Sequence, residues 1–270
     1  MAVDPRAHAV ATPRRFASAV ASAVNEIKRR SPAPRDLPFF GVDHPPGTGS
    51  KLLDRLSELG IFRIYERVLD LSAGLGGPAR WLARRRGCRV YSFDGGHERA
   101  AASRLLVRRA YLESAVSVAV ARPTSLPVPS DTFTHAWSVE SLAGHPERLP
   151  IFRELFRVVR PGGHVAVQEW VVAKDALALG GASYETAESH AEGLRQAGFA
   201  DVRASLVGEL REDESAISEI VSERVAELLG EGRPAERRAL GQATAALEEQ
   251  ARAIGDGSLS LAQIFGRKPG

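Results

Sequence analysis

A chain of 270 residues is long enough for one large α/β domain with additions, or at most two small domains. Its 36 Lys and Arg residues, all but four of them Arg, are interleaved with 33 Asp and Glu, which reads as a solvated mixed surface and argues against nucleic acid as a partner. The single cysteine, Cys88, excludes a disulfide framework and a cysteine-built metal site. No apolar run approaches the ~20 residues of a membrane span, and the N-terminus lacks the apolar stretch of a signal peptide, so a cytoplasmic protein without a membrane partner is expected.

In chain order, residues 14–30 read as a helix with Phe16, Val20, Val24 and Ile27 on one stripe. The Pro/Gly-rich stretch 31–50 is a loop. A helix over 50–59 places Leu52, Leu53, Leu56 and Leu59 on one face, and Gly60 stops it. From there strands and helices alternate. Strands are predicted at 67–71, 88–94, 117–121, 134–139, 164–170, 201–207 and 259–265. Helices fall at 78–87, at 97–110 with Ala101, Leu105 and Ala110 inward, at 147–160 and at 185–196. His135 and His164 lie within strands and face packing or solvent, and His190 is placed on an exposed helix face. The connection after Trp170 is short. Residues 212–254 break the alternation with one or two helices carrying Ile217, Ile220, Val221, Val225 and Leu228 at helical spacing. The expected fold is an α/β, Rossmann-like, seven-stranded, mostly parallel sheet with helices on both faces. Residues 1–60 are expected as a helical segment covering the site. Residues 61–270 form the ligand-binding domain, with 212–254 either a lid or a face for a second copy.

The richest local signal is VLDLSAGLGGPARWLA (68–83) followed by CRVYSFD (88–94). Gly74 and Gly76 permit a tight turn and close approach of a ligand, and the following helix aims its positive N-terminal end at that ligand. The G-x-G-x-x-A pattern by itself also fits a dinucleotide site. Asp70, at the first strand's end, disfavours an anionic pyrophosphate and favours the ammonium and sulfonium of S-adenosylmethionine (SAM). Asp94, at the second strand's end, suits a ribose diol in either ligand.

These segments resemble the class I SAM-dependent methyltransferases, near the group that includes relatives of sarcosine/dimethylglycine and tocopherol methyltransferases. The resemblance runs over about 36–207 and rests on DLSAGLGGPARWLA, the strand end at Asp94, SLPVPSDTFTHAWSVESL (125–142) and LFRVVRPGGHVAVQEW (155–170). It implies SAM as cofactor. It implies that Asp70 and the backbone of Ser72, Ala73, Gly74 and Gly76 hold the methionine portion, that Asp94 binds the ribose, and that Ser138 and Glu140 line the face toward the acceptor. Two positions depart from the family pattern. Arg122 stands where relatives carry an adenine-binding Asp; a guanidinium accepts no hydrogen bond but can stack on the ring, with Thr124 and Ser125 as polar contacts. Gly144 stands where near relatives carry a His.

Methyl transfer is an in-line displacement that asks chiefly for alignment and exclusion of water. Three residues are candidates for chemistry. His145 is a base or acceptor-orienting group, Glu140 a partner for an acceptor amine or a helix cap, and His44 part of a loop that folds over the cofactor in relatives. No metal-ligand spacing is present. The expected function is methyl transfer to a small-molecule acceptor, an amine, a phenol or a carbon centre of a secondary metabolite. The alternatives are a SAM-fold protein that does not transfer methyl groups and, third, an NAD-dependent oxidoreductase.

Overall fold

The computed structural model describes residues 10–28, 33, 35, 37–45, 48–71, 73–207, 216–230 and 234–270. Ser72, from the expected cofactor loop, lies outside the described residues, as do 29–30 of the first expected helix, 212–215 and 231–233 of the expected excursion, and the side chain of Ile217.

The elements, in order, are α1 (Pro13–Ile27), α2 (Ser50–Leu59), β1 (Arg67–Leu71), α3 (Gly77–Arg86), β2 (Arg89–Asp94), α4 (His97–Arg109), β3 (Val116–Val120), β4 (Phe133–Val139), α5 (Leu149–Val158), β5 (Val159–Val171), β6 (Leu177–Leu179), β7 (Ala182–Tyr184), α6 (Ala187–Ala197), β8 (Ala200–Leu206), α7 (Ala216–Leu229), α8 (Pro234–Gly255) and β9 (Ser260–Arg267). Seven strands form one sheet in the order β3-β2-β1-β4-β5-β9-β8, with β6 and β7 apart as a hairpin. β3 through β5 are parallel and β9 runs antiparallel to both neighbours. Chain order reverses between β1 and β4, so helices depart to opposite faces there and leave a crevice at the strands' C-terminal ends.

Alternating side chains feed two cores. Val68, Val90, Trp137 and Ala166 point to the side of α2, α3 and α4. Leu69, Leu71, Phe93, Ala136 and Val167 point to the side of α5 and α6. α1 buries Phe16, Val20 and Val24 and packs on α4 and α7, forming an outer layer. α7 contributes Val221, Val225 and Leu229 to that layer, and Arg224 pairs with Glu26 across it at 2.9 Å.

Several sequence expectations shift. Leu59 is 38% exposed, off the face shared by Leu52, Leu53 and Leu56. Ile220 and Leu228 are exposed, because the buried stripe of α7 runs one residue later through Val221, Val225 and Leu229. On α4 the buried positions are Ala100, Ala102, Ser103, Leu106 and Val107; Ala110, just past its end, is buried as expected, while Ala101 and Leu105 are only half-buried. His190 is buried, not exposed: it shares a stripe with Ala191 and Leu194 and meets Phe152 edge-on with ring centroids 6.4 Å apart. Burial pushes its imidazole down to about 4.

Candidate active site

The glycine loop joins β1 to α3 at the crevice. Gly74 (φ 54°) and Gly76 (φ 73°) are both left-handed, a conformation open to glycine at little cost. Their surroundings differ. A Cβ on Gly76 would lie 2.5 Å from Ser103 Oγ, and one on Gly77 would lie 2.5 Å from the Asp43 carbonyl oxygen and against the His44 ring. A Cβ on Gly74 would meet nothing within 4 Å. Close approach at Gly76 and Gly77 therefore serves packing, and Gly74 is the glycine that borders open space.

Two acids flank the loop, as the strand-end positions require. Asp70 is 2% exposed, and Ser92 Oγ donates to its Oδ2 at 2.8 Å. Burial pushes Asp70 up to about 7, against the lowering influence of Ser92, the Trp137 indole and Arg80. Asp94 is 3% exposed. Its Oδ2 accepts from Gly74 N at 2.9 Å, and its Oδ1 accepts from Gly96 N at 2.6 Å and Arg99 Nε at 2.9 Å. Asp94 thus braces the glycine loop from the neighbouring strand.

A strap of residues 37–45 and 48–49 crosses this end of the sheet. It is pinned at one end by Asp43, whose Oδ2 accepts from Arg80 Nη2 at 2.6 Å with both side chains buried. Arg80 also donates to the Leu75 carbonyl at 2.7 Å and lies 5.5 Å from the centre of the Phe39 ring. His44 sits within the strap, its Nδ1 3.3 Å from the Thr48 carbonyl. At the other end the Thr48 hydroxyl donates to Glu140 Oε1.

Glu140 follows β4 with a left-handed backbone (φ 50°) and turns into the protein. Its Oε2 accepts from the Trp170 indole at 2.8 Å, and its Oε1 also receives Gln168 Nε2 at 3.3 Å. Burial outweighs these donors and pushes its carboxyl up to about 7. Gln168 Nε2 donates to Thr48 Oγ1 at 2.9 Å, and Gln263 Nε2 donates to Gln168 Oε1 at 2.8 Å. The sequence offered Glu140 as a helix cap or an amine partner. In the structure it ties the strap to β5 through Thr48, Gln168 and Trp170, and no helix-capping bond forms.

The remaining candidates lie at the end of β4, in the β4–α5 loop and in the β3–β4 connection. Ser138 is buried and its Oγ lies 2.5 Å from Ser141 Oγ. Glu169 supports the loop from β5: its Oε2 accepts from Leu142 N at 2.9 Å and Ala143 N at 3.0 Å, and its buried Oε1 has no hydrogen-bond partner. Burial and the nearby Glu140 push Glu169 up to about 8. His145 is half-buried and held below its ordinary range by burial, Arg148 and Arg99, with Asp94 acting the other way. Arg122, Thr124 and Ser125 are exposed on a turn closed by Ser125 N donating to the Arg122 carbonyl at 3.1 Å. Among the described residues no three His, Cys, Asp or Glu side chains gather to hold a metal ion.

Asp70, Gly74 and Asp94 therefore meet at one crevice, with Ser138 in the adjacent strand β4 and Glu140 and His145 following it. Thr48, Gln168, Glu169, Trp170 and the Asp43–Arg80 pair were missed by sequence reasoning. The available signal was the polar pair Gln168–Glu169 interrupting an otherwise apolar central strand, where buried polar groups need partners.

Residues 69–167 match a family described as Methyltransferase domain. Over 131 residues the chain is 34% identical to methyltransferase GfsG of Streptomyces halstedii, covering 48% of this chain and 47% of that protein. Over 149 residues it is 28% identical to 27-O-demethylrifamycin SV methyltransferase of Amycolatopsis mediterranei, covering 55% and 52%. The alignments thus span about half the length of these curated relatives. Among solved structures, the [4+2]-cyclase SpnF superposes with a TM-score of 0.63 at 26% identity, covering 84% of this chain and 85% of that one.

Proposed function

We propose that this chain, which carries a class I SAM-dependent methyltransferase domain, transfers a methyl group from SAM to a small-molecule acceptor. The observation that carries this reading lies inside the matched segment: the buried carboxylate of Asp70 stands beside a glycine, Gly74, that borders open space. Burial holds Asp70 short of full ionisation near neutrality. A ligand bringing a positive charge restores that charge, whereas an anionic pyrophosphate is repelled by it. The donor set thus fits SAM better than a nicotinamide dinucleotide.

When bound, SAM supplies an electrophilic methyl group on a sulfonium. The chain's own residues do the rest. Asp70 accepts from the ammonium. Asp94 offers its remaining lone pairs to the ribose diol, and Arg99, whose side chain is half exposed, is free to turn aside. The strap, tied down at Asp43 and Thr48, excludes water from the crevice. His145, whose charged form is disfavoured by burial and by Arg148, takes a proton from an acceptor hydroxyl or ammonium. Arg122 stacks against the adenine from its exposed turn, with Thr124 and Ser125 beside it. The similarity to GfsG and the rifamycin methyltransferase supports an acceptor from secondary metabolism.

A second reading, a SAM-fold enzyme that does not transfer the methyl group, is favoured by the similarity to SpnF, which extends over more of the chain than either curated alignment. Incubating the protein with methyl-labelled SAM and a metabolite extract separates the two. Label in a small-molecule product supports methyl transfer; SAM that binds but never gives up label overturns it.

A further inference from the structure

At the far end of α3 from the glycine loop, a cleft of about 200 Å³ opens among the C-terminal ends of α1, α3 and α4. Arg84 follows Gly77 by seven residues of α3, which at about 1.5 Å each put the cleft about 10 Å along the helix from the glycine loop. Lys28, Arg35, Arg84 and Arg109 all line it, and among the described residues none of the four forms an ion pair with a carboxylate. The contrast along one helix is instructive. Arg85 and Arg86, the next residues of α3, both reach Asp54, at 3.2 and 3.0 Å. Arg84 turns the other way. Its Nη2 donates to the Ala110 carbonyl at 2.5 Å, and its Nε, shut off from solvent, has no partner.

Helix C-termini favour cations, which accounts for Arg84 and Arg109 taken singly. It does not account for four cations around one concavity, where like charges repel and the low-dielectric walls concentrate a positive field. Tyr111 adds a second feature at the cleft. It is 85% exposed and sits at φ 56°, a backbone conformation that a bulky residue rarely adopts. A ring held in solvent by a strained backbone is a surface on which a planar group can stack.

We propose that this cleft binds the phosphate groups of an organic phosphate that carries a planar ring, at a site separate from the glycine loop. Guanidinium groups match phosphate oxygens in charge and geometry, and Tyr111 offers its face to the ring.

The test is calorimetric titration of the full chain with pyrophosphate and with ADP at low salt. The comparison proteins are Arg35→Gln/Arg109→Gln, which removes two exposed charges, Tyr111→Ala and Asp70→Asn. Saturable binding of both ligands is expected, tighter for ADP, about tenfold weaker in the double variant and unchanged in Asp70→Asn. Tyr111→Ala should bring ADP down to the affinity of pyrophosphate. Absence of saturable binding, or binding untouched by the double variant, overturns the site. Pyrophosphate binding that tightens in Asp70→Asn, which removes the acid that repels an anion at the glycine loop, assigns the phosphate to that loop and overturns its separateness. Equal affinities for ADP and pyrophosphate in the wild type overturn the role of the ring. Circular dichroism of each variant verifies its fold.

Discussion

Raising the pH from 6 to 7 should tighten SAM binding, because the buried Asp70 must ionise to meet the ligand's ammonium. With its carboxyl at about 7 in the free protein, the ionised fraction is about 0.09 at pH 6 and about 0.5 at pH 7. If the bound form is fully ionised, the association constant rises about fivefold over that interval, and binding releases up to about one proton at pH 6. The ligand's own α-amino group, at about 7.7–8.0, stays charged across the range, so the change reports on the protein. Calorimetry in buffers of different ionisation enthalpy measures affinity and proton release together. Asp70→Asn should remove the pH dependence and weaken binding by about ten- to a hundredfold, the loss of one charge-assisted hydrogen bond. An affinity that is flat or falling from pH 6 to 7, or an Asp70→Asn variant that binds like the wild type, refutes the assignment of Asp70 to the ammonium.

Asp43→Ala leaves the fully buried guanidinium of Arg80 without its anion, so unfolding in urea should show a loss of about 3–5 kcal/mol, while Asp43→Asn should lose less. Gly77→Ala drives a methyl into the Asp43 carbonyl and His44, for an overpacking cost of about 1–3 kcal/mol. Gly74→Ala has space around it and carries only the left-handed strain of about 1–2 kcal/mol, so the two should separate in SAM affinity, which Gly74→Ala lowers more for its stability cost. The ligand-free protein should lose thermal stability between pH 6.5 and 8. Glu140 at about 7 and Glu169 at about 8 lie above their unfolded values, so the folded state holds extra protons whose stabilising effect is lost as the pH rises through those values. Glu140→Gln/Glu169→Gln should make that slope shallower in a melting-temperature series, with Asp70, at about 7, keeping its share, and a wild type that grows more stable from pH 6.5 to 8 contradicts it.

The parallel half of the sheet was legible because β1 to β4 are short, largely apolar runs bounded by turn residues, and the loop–helix unit at 72–87 leaves few alternatives to a βα crossover. Where periodicity weakens, reading fails in phase. The Ala-rich α4 gives almost no amphipathic contrast: Ala110 is buried as expected, but Ala101 and Leu105 fall one residue short of the buried Ala102 and Leu106. His190, expected on an exposed face, is buried on the face that Ala191 and Leu194 mark. The β6–β7 hairpin went unread, yet Gly180-Gly181 between alternating apolar residues carries a turn signal. Around the crevice, the placement of Asp70 and Asp94 followed from their position at strand ends, and that of Gly74 from the turn between β1 and α3. The strap did not, because a Pro/Gly-rich loop has no period from which burial can be inferred. Only the three-dimensional pairing shows that Asp43 neutralises Arg80 and that Thr48 reaches Glu140.

The account stands most directly on a stoichiometric count. Supplied with SAM and an acceptor from a secondary-metabolite extract, the protein should release one S-adenosylhomocysteine for every product molecule that is one CH₂ heavier by mass spectrometry, and Asp70→Asn should depress both equally. An acceptor that is converted without S-adenosylhomocysteine appearing would contradict methyl transfer and turn the fold toward the chemistry of its cyclase neighbour.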